Sequence, residues 1–337
     1  MTHPRSNKSP FKPAIRALIT CIACIACIAG YAPAHSRAAA EPEPATLLEK
    51  RDGYVQGCGA MIYYEAIGRG PPLMVLHGGP GSTHGYFLPY LLPLAKDHRL
   101  VFMDERGSGR SERLADFKGY TLNAMACDAD AVRRALGLKK VDVLGHSFGG
   151  ILAQAYAIKY PSNVRRLILA STGSSALRIN ADFELIKTSL DPVLRARLEA
   201  LESKGIIGAD GAQLPEYRKL ADEAEAPYDY AGRPPQWDDR GEPLGWDVLN
   251  EMWGSRSDFH IDGNLAGFDF VPALRNLQLP TLIILGDHDL ISASTADETH
   301  AAIRNSQVII LERSGHMTFV DQRDAFLHDV SAFLGTD

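Results

Sequence analysis

The sequence predicts an α/β protein, with a mostly parallel central sheet, helices on both of its faces and one helical insertion. Three observations predict it. Short apolar runs recur along the chain and end in Gly-containing or polar turns, which suits strands covered on both faces. Stretches with helical apolar spacing lie between these runs, the alternation that builds parallel strands through helical crossovers. Between about Ser174 and Gly263 the alternation stops, and Glu, Asp, Arg, Pro and Trp replace β-branched runs.

The expected strands are Leu73–Leu76, Leu100–Met103, Val141–Leu144, Leu167–Leu169, Thr281–Leu285 and Val308–Leu311. The expected helices include Asn123–Leu136, Ile151–Tyr160 and Ala293–Ile303. The insertion leaves from the carboxyl end of a strand. Ligands of open α/β sheets bind at those ends, so the insertion is placed to cover a site.

The N-terminus reads separately. Residues 1–40 carry Arg5, Lys8, Lys12, Arg16 and Arg37 and no acidic residue, followed by a short apolar stretch and small residues around Ala32-Pro33-Ala34 and Ala38-Ala39-Ala40. This is the layout of a secretory signal peptide, with cleavage expected about 34–40. The alternatives are an uncleaved anchor or, from Cys21, Cys24 and Cys27, a lipidated start. The expected organisation is a leader at 1–40, a first core part at 41–173, a helical insertion at 174–263 and a second core part at 264–337. An exported chain is expected to be periplasmic or secreted, with no stable membrane insertion after cleavage.

The 337 residues are 45% hydrophobic and 23% charged with a formal net charge of −6, which excludes a disordered chain and a general nucleic-acid binder. Without the leader, 30 Lys and Arg face 41 Asp and Glu, a net of −11. Cys58 and Cys127 then remain, either paired by export or buried as thiols.

Gly145-His146-Ser147-Phe148-Gly149 follows one expected strand and precedes a helix, the setting in which G-x-S-x-G forms a nucleophile elbow with the Ser hydroxyl exposed. A Ser hydroxyl needs a base, and the base needs an orienting acid. His316 lies in a Gly turn beyond the last strand, whereas His328 falls within an apolar helical pattern and reads as a surface residue. Asp287 and Asp289 share the loop after Thr281–Leu285, and Asp289 is preferred. An oxyanion needs backbone N–H donors. Phe148 supplies one, and Gly79 in His77-Gly78-Gly79-Pro80-Gly81 supplies the second. Asp104-Glu105-Arg106-Gly107-Ser108-Gly109-Arg110-Ser111 also ends a strand and is expected to form an Asp/Arg network holding loops near the site.

With these motifs the chain resembles the α/β-hydrolase superfamily over residues 50–335. Within it, the HGGPG loop and the D-x-R-G-x-G-x-S stretch resemble the prolyl aminopeptidase (proline iminopeptidase) serine peptidases. The resemblance implies an α/β-hydrolase fold with a helical cap and a Ser147, Asp289, His316 triad, and it implies a preference for N-terminal proline. Two positions depart from that group. His146 and Phe148 flank Ser147 where a small residue and Trp are usual, and Leu290 stands where some relatives carry an acidic residue.

An aminopeptidase must hold a cationic amine near the scissile bond. Residues 181–262 carry 18 Asp and Glu against 9 Lys and Arg, a potential suited to cationic substrates. Glu216, Glu223, Glu225 and Glu251 are the candidate amine ligands, and Trp237, Trp246 and Trp253 are candidate walls of an apolar pocket. The expected activity is an exported aminopeptidase acting on a small peptide or other small acyl substrate, with no metal and no organic cofactor. The alternatives are a small-molecule esterase, amidase or lactonase with the same triad, and a non-catalytic binding protein.

Overall fold

The computed structural model describes residues 48–231, 242 and 244–335, and within them eight strands form one sheet. The expected leader and Trp237 lie outside the described residues. The strands are β1 (Lys50–Gln56), β2 (Met61–Ile67), β3 (Pro72–Leu76), β4 (Arg99–Met103), β5 (Val141–His146), β6 (Val164–Ala170), β7 (Thr281–Gly286) and β8 (Ser306–Leu311). Their order is β1-β2-β4-β3-β5-β6-β7-β8. The pairs β1–β2 and β2–β4 are antiparallel and all the others are parallel.

Helix α1 (Leu88–Leu91) joins β3 to β4, α2 (Leu122–Ala135) joins β4 to β5, and α3 (Phe148–Lys159) joins β5 to β6. Between β6 and β7 lie α4 (Ala176–Ser189), α5 (Pro192–Glu202), α6 (Pro215–Asp229), α7 (Trp246–Met252) and α8 (Val271–Leu274). Helix α9 (Ala293–Ala302) follows β7, and α10 (Thr318–Asp321) and α11 (Arg323–Leu334) follow β8.

The six expected strands appear as β3 to β8, and the predominantly apolar runs of β3 to β7 are covered on both faces, whereas the edge strand β8 is partly exposed. Along β3, Met74 and Leu76 point into one core, with α2 and α3, while Leu73 and Val75 point into the other, with α11. The same alternation holds in β4, β6 and β7. The antiparallel edge, β1 and β2, was not expected. β1 is mostly exposed and carries Lys50, Arg51, Asp52 and Gly53, so it offers no apolar run to read.

Polar caps start several helices. Thr121 accepts from Ala124 N–H before α2, and Asp191 accepts from Val193 and Leu194 N–H before α5, with Pro192 at its first position. Backbone bonds fasten the two ends of the insertion together: Phe270 N–H donates to Ser174 O at 2.8 Å, and Ala176 N–H to Phe268 O at 3.0 Å.

Cys58 and Cys127 form a disulfide across 69 residues of sequence, joining the β1–β2 turn to α2. Closing a loop of that length constrains the unfolded chain by about 4 kcal/mol. Cys58→Ala/Cys127→Ala is therefore expected to lower the unfolding free energy by about that amount in denaturant titrations, and the oxidised wild type should lose the same amount on reduction. Equal midpoints for the variant and the oxidised wild type would contradict this.

Candidate active site

The sheet order places the loop after β3 beside the loop after β5, where the winding reverses. The site is built there. Ser147 takes φ 56° and ψ −124° between the end of β5 and the start of α3, a conformation that lifts its side chain out of the turn. A Cβ at Gly145 would run into the Gly149 carbonyl, and one at Gly149 into the Leu76 carbonyl, so both flanking glycines are required by close backbone approach. Ser147 N–H donates to Ala170 O at 2.9 Å, and Thr172 Oγ1 donates to Ser147 O at 2.8 Å, which pins the turn from β6.

His316 follows β8 and Asp289 follows β7. His316 Nδ1 lies 2.7 Å from Asp289 Oδ1, with both side chains nearly inaccessible. Burial alone would raise the Asp289 carboxyl. The adjoining His316 ring and the N–H of Ile291, at 2.9 Å, outweigh that and hold it below the ordinary carboxylate value. Asp289 is thus ionised and accepts, so Nδ1 carries the proton and Nε2 is the ring nitrogen left for a second partner. Burial would likewise lower the His316 pKa, but the charge and hydrogen bond of Asp289 raise it. Asp287 is exposed and accepts from Ser314 N–H at 3.0 Å, so it shapes the loop that carries His316. His328 is exposed on α11.

Phe148 opens α3, where backbone N–H groups have no intrahelical acceptor. Among the described residues, neither Phe148 N–H nor Gly79 N–H meets an acceptor. The Gly78–Gly79 peptide is fixed from behind, because buried His77 donates from Nδ1 to Gly78 O at 2.8 Å. Glu105 holds the His77 ring: its carboxyl group contacts Nε2, and its backbone nitrogen lies 3.2 Å from the same atom.

Ser147, Phe148, Gly79 and His316 line one cavity of about 530 Å³, roofed by the insertion. Of the proposed acidic ligands only Glu225 reaches it. Glu216 and Glu223 are exposed on the outer side of α6, and Glu251 does not line the cavity and meets Asn264 Nδ2 at 3.5 Å. Trp246 and Trp253 both line the cavity, and Trp253 also packs edge-on against Phe183 at 5.8 Å.

The sequence reading missed Asp229, Asp258 and Arg218 among the lining residues. Arg218 binds Asp222 at 2.7 Å, Glu225 at 3.0 Å and Asp258 at 2.5 Å. Burial nevertheless pushes Glu225 well above the ordinary carboxylate range. Asp229 ends α6 and sits over the His316 loop, whose His316 N–H donates to Tyr228 O at 2.7 Å. Burial, and Asp289 nearby, push Asp229 up to about 6 against the pull of His316. Among the described residues no group donates a hydrogen bond to its carboxylate.

The Asp104–Ser111 stretch does form a network, with other pairings than Asp104 to Arg106. Asp104 binds His84 Nδ1 at 2.7 Å and accepts from Arg110 N–H at 3.0 Å, while Arg106 grips Asp128 with Nε at 2.7 Å and Nη2 at 2.8 Å.

Comparison with known proteins identifies the family. A family model described as the alpha/beta hydrolase fold matches residues 71–198. A proline iminopeptidase of Thermoplasma volcanium is 31% identical over 303 residues, covering 86% of this chain and 98% of that protein. One from Lactobacillus acidophilus is 31% identical over 296 residues, covering 85% and 99%. The crystal structure of proline iminopeptidase from Mycobacterium smegmatis superposes with a TM-score of 0.72 at 24% identity, covering 84% of this chain and 97% of that one, a likeness of fold. The resemblance read from the motifs is borne out: the chain belongs to the proline iminopeptidase family of α/β hydrolases and is a serine hydrolase.

Proposed function

We propose that the chain is an exported aminopeptidase that releases N-terminal residues, proline by preference, through a Ser147–His316–Asp289 triad. One observation carries the reading. The elbow serine, the Asp289-oriented His316 and the carboxylate of Asp229 meet at one cavity.

His316 Nε2 takes the Ser147 proton while Oγ attacks the first peptide carbonyl. Gly79 and Phe148 N–H receive the developing oxyanion. His316 then returns the proton to the leaving amine, and water, activated by the same ring, releases the acyl group. Asp289 holds the ring's tautomer throughout. Asp229 faces the substrate's α-ammonium, since Glu225 and Asp258 already share Arg218. Trp246, Trp253 and Leu249 offer an apolar wall to a proline ring. The leader composition and the Cys58–Cys127 disulfide support export to an oxidising compartment, periplasmic or extracellular.

The test compares proline anilide with its N-blocked form and with short acyl esters on the mature protein. The free amine is expected to be preferred. Asp229→Asn should cut the free-to-blocked ratio of kcat/KM by about 10- to 100-fold, the worth of a hydrogen bond to a charged group, since the loss of its charge beside His316 acts on both substrates alike. Asp229 is neutral below a pKa of about 6 and charged above it. The free-to-blocked ratio should therefore fall as the pH drops through that value, a comparison in which the titration of His316 cancels. Equal rates on free and blocked substrates would overturn the aminopeptidase reading in favour of an esterase or amidase.

A further inference from the structure

We propose that His146, the residue before the nucleophile, is a positioning residue that ties the oxyanion loop to the backbone of His316 through Tyr86. The inference rests on the triad reading and concerns a position at which this chain departs from its relatives.

His146 closes β5 and is 2% exposed. Its Nε2 lies 3.0 Å from His316 O, its Nδ1 lies 3.0 Å from Tyr86 Oη, and Tyr86 Oη accepts from Gly78 N–H at 2.6 Å. The carbonyl fixes the tautomer of the ring. A carbonyl only accepts, so Nε2 carries hydrogen and donates to His316 O. Nδ1 is then bare and accepts the Tyr86 hydroxyl proton. The chain runs Gly78 N–H to Tyr86 O–H to His146 Nδ1, and from Nε2–H to the carbonyl of His316. Every group in it is satisfied, as buried polar groups must be.

The ring stays neutral in this arrangement. Burial, and the His316 ring centred 4.9 Å away, push the His146 pKa down to about 3. Phe319 stands perpendicular to it at 5.1 Å and Phe87 edge-on at 6.1 Å, so aromatic rings pack against it.

The connection matters because of what it joins. Gly78 precedes the donor Gly79, and a Cβ at Gly78 would sit 3.2 Å from Ser147 Cβ and 3.3 Å from His146 Nδ1. The donor loop, the nucleophile and the base therefore share one rigid reference. A displacement of about 1 Å between such groups costs on the order of 100-fold in rate. The loss falls on the transition state, so it appears in kcat and not in KM.

The test uses His146→Phe, which keeps an aromatic ring and removes both hydrogen bonds. Tyr86→Phe, His146→Gln and the Tyr86→Phe/His146→Phe double variant complete the set. Each rate is divided by the active sites titrated with a fluorophosphonate, so lost folding does not count as lost turnover. His146→Phe and Tyr86→Phe are each expected to lower kcat per titrated site by about 10- to 100-fold with KM little changed. The double variant should be no worse than the poorer single, and His146→Gln, whose amide both donates and accepts, should recover part of the loss. Unchanged kcat per site in His146→Phe, or additive losses in the double variant, would overturn the proposal. Should His146→Phe fail to fold, Tyr86→Phe decides alone, normal kcat counting against the proposal. Failure to label Ser147 in the wild type would instead refute the triad reading beneath it.

Discussion

Ser147→Ala is expected to reduce turnover by on the order of 10⁴- to 10⁶-fold while the protein keeps its fold. The fold should survive because Ser147 holds the elbow through its backbone: its N–H to Ala170 O, and its carbonyl to Thr172 Oγ1. Alanine keeps both bonds. Its positive φ costs of order 1–3 kcal/mol, a strain the serine already bears. The chemistry should fail because the variant has no side-chain nucleophile at the elbow to form the acyl-enzyme. The residual rate would come from the Gly79 and Phe148 N–H groups acting on an attacking water. Steady-state kinetics and circular dichroism on the same preparation check both halves. Activity near the wild-type level would remove Ser147 from the chemistry.

Arg106→Ala is expected to lower the unfolding free energy by about 3–5 kcal/mol. Arg106 and Asp128 are 3% and 0% exposed, and the guanidinium also donates to Gly119 O at 3.0 Å and Cys58 O at 2.9 Å. Removing it strands a buried carboxylate that burial already pushes above its ordinary pKa. It also removes a tie from the β4–α2 segment to the disulfide-linked turn, the Arg106 Nη2 bond to Cys58 O, leaving Cys58 N–H on Asp128 at 2.7 Å. Arg106→Met/Asp128→Leu, which removes both charges, should lose much less than the single variant. Urea unfolding of the three proteins measures this. A loss under about 1 kcal/mol for Arg106→Ala would place the pair among those of surface strength.

The parts of the site that the sequence made legible are local. The elbow, the HGGPG loop and the Gly turn of His316 are each a strand end followed by a few residues whose types are dictated by close backbone approach, as at Gly145 and Gly149. What the cap contributes depends on which side of a helix meets the core. Tyr217 and Ala221 are buried on α6, and Glu225 and Asp229 follow at steps of four on the same side. That spacing was a usable signal. Counting acidic residues instead brought in Glu216 and Glu223, which face solvent. The negative charge of the insertion was legible, but not its partial neutralisation by Arg218. His146 was visible only as a departure from relatives. Its partners lie 60 and 170 residues away, beyond any local pattern.

The central claim is that Ser147 is the nucleophile of this hydrolase, and the most direct test is to find where a covalent serine reagent lands. The mature protein is treated with a fluorophosphonate, digested and mapped by mass spectrometry. One phosphonyl group on Ser147, absent when the reagent meets the Ser147→Ala protein, is the predicted result. A stoichiometric label on another residue, or no label on a protein that still turns over substrate, would contradict the account.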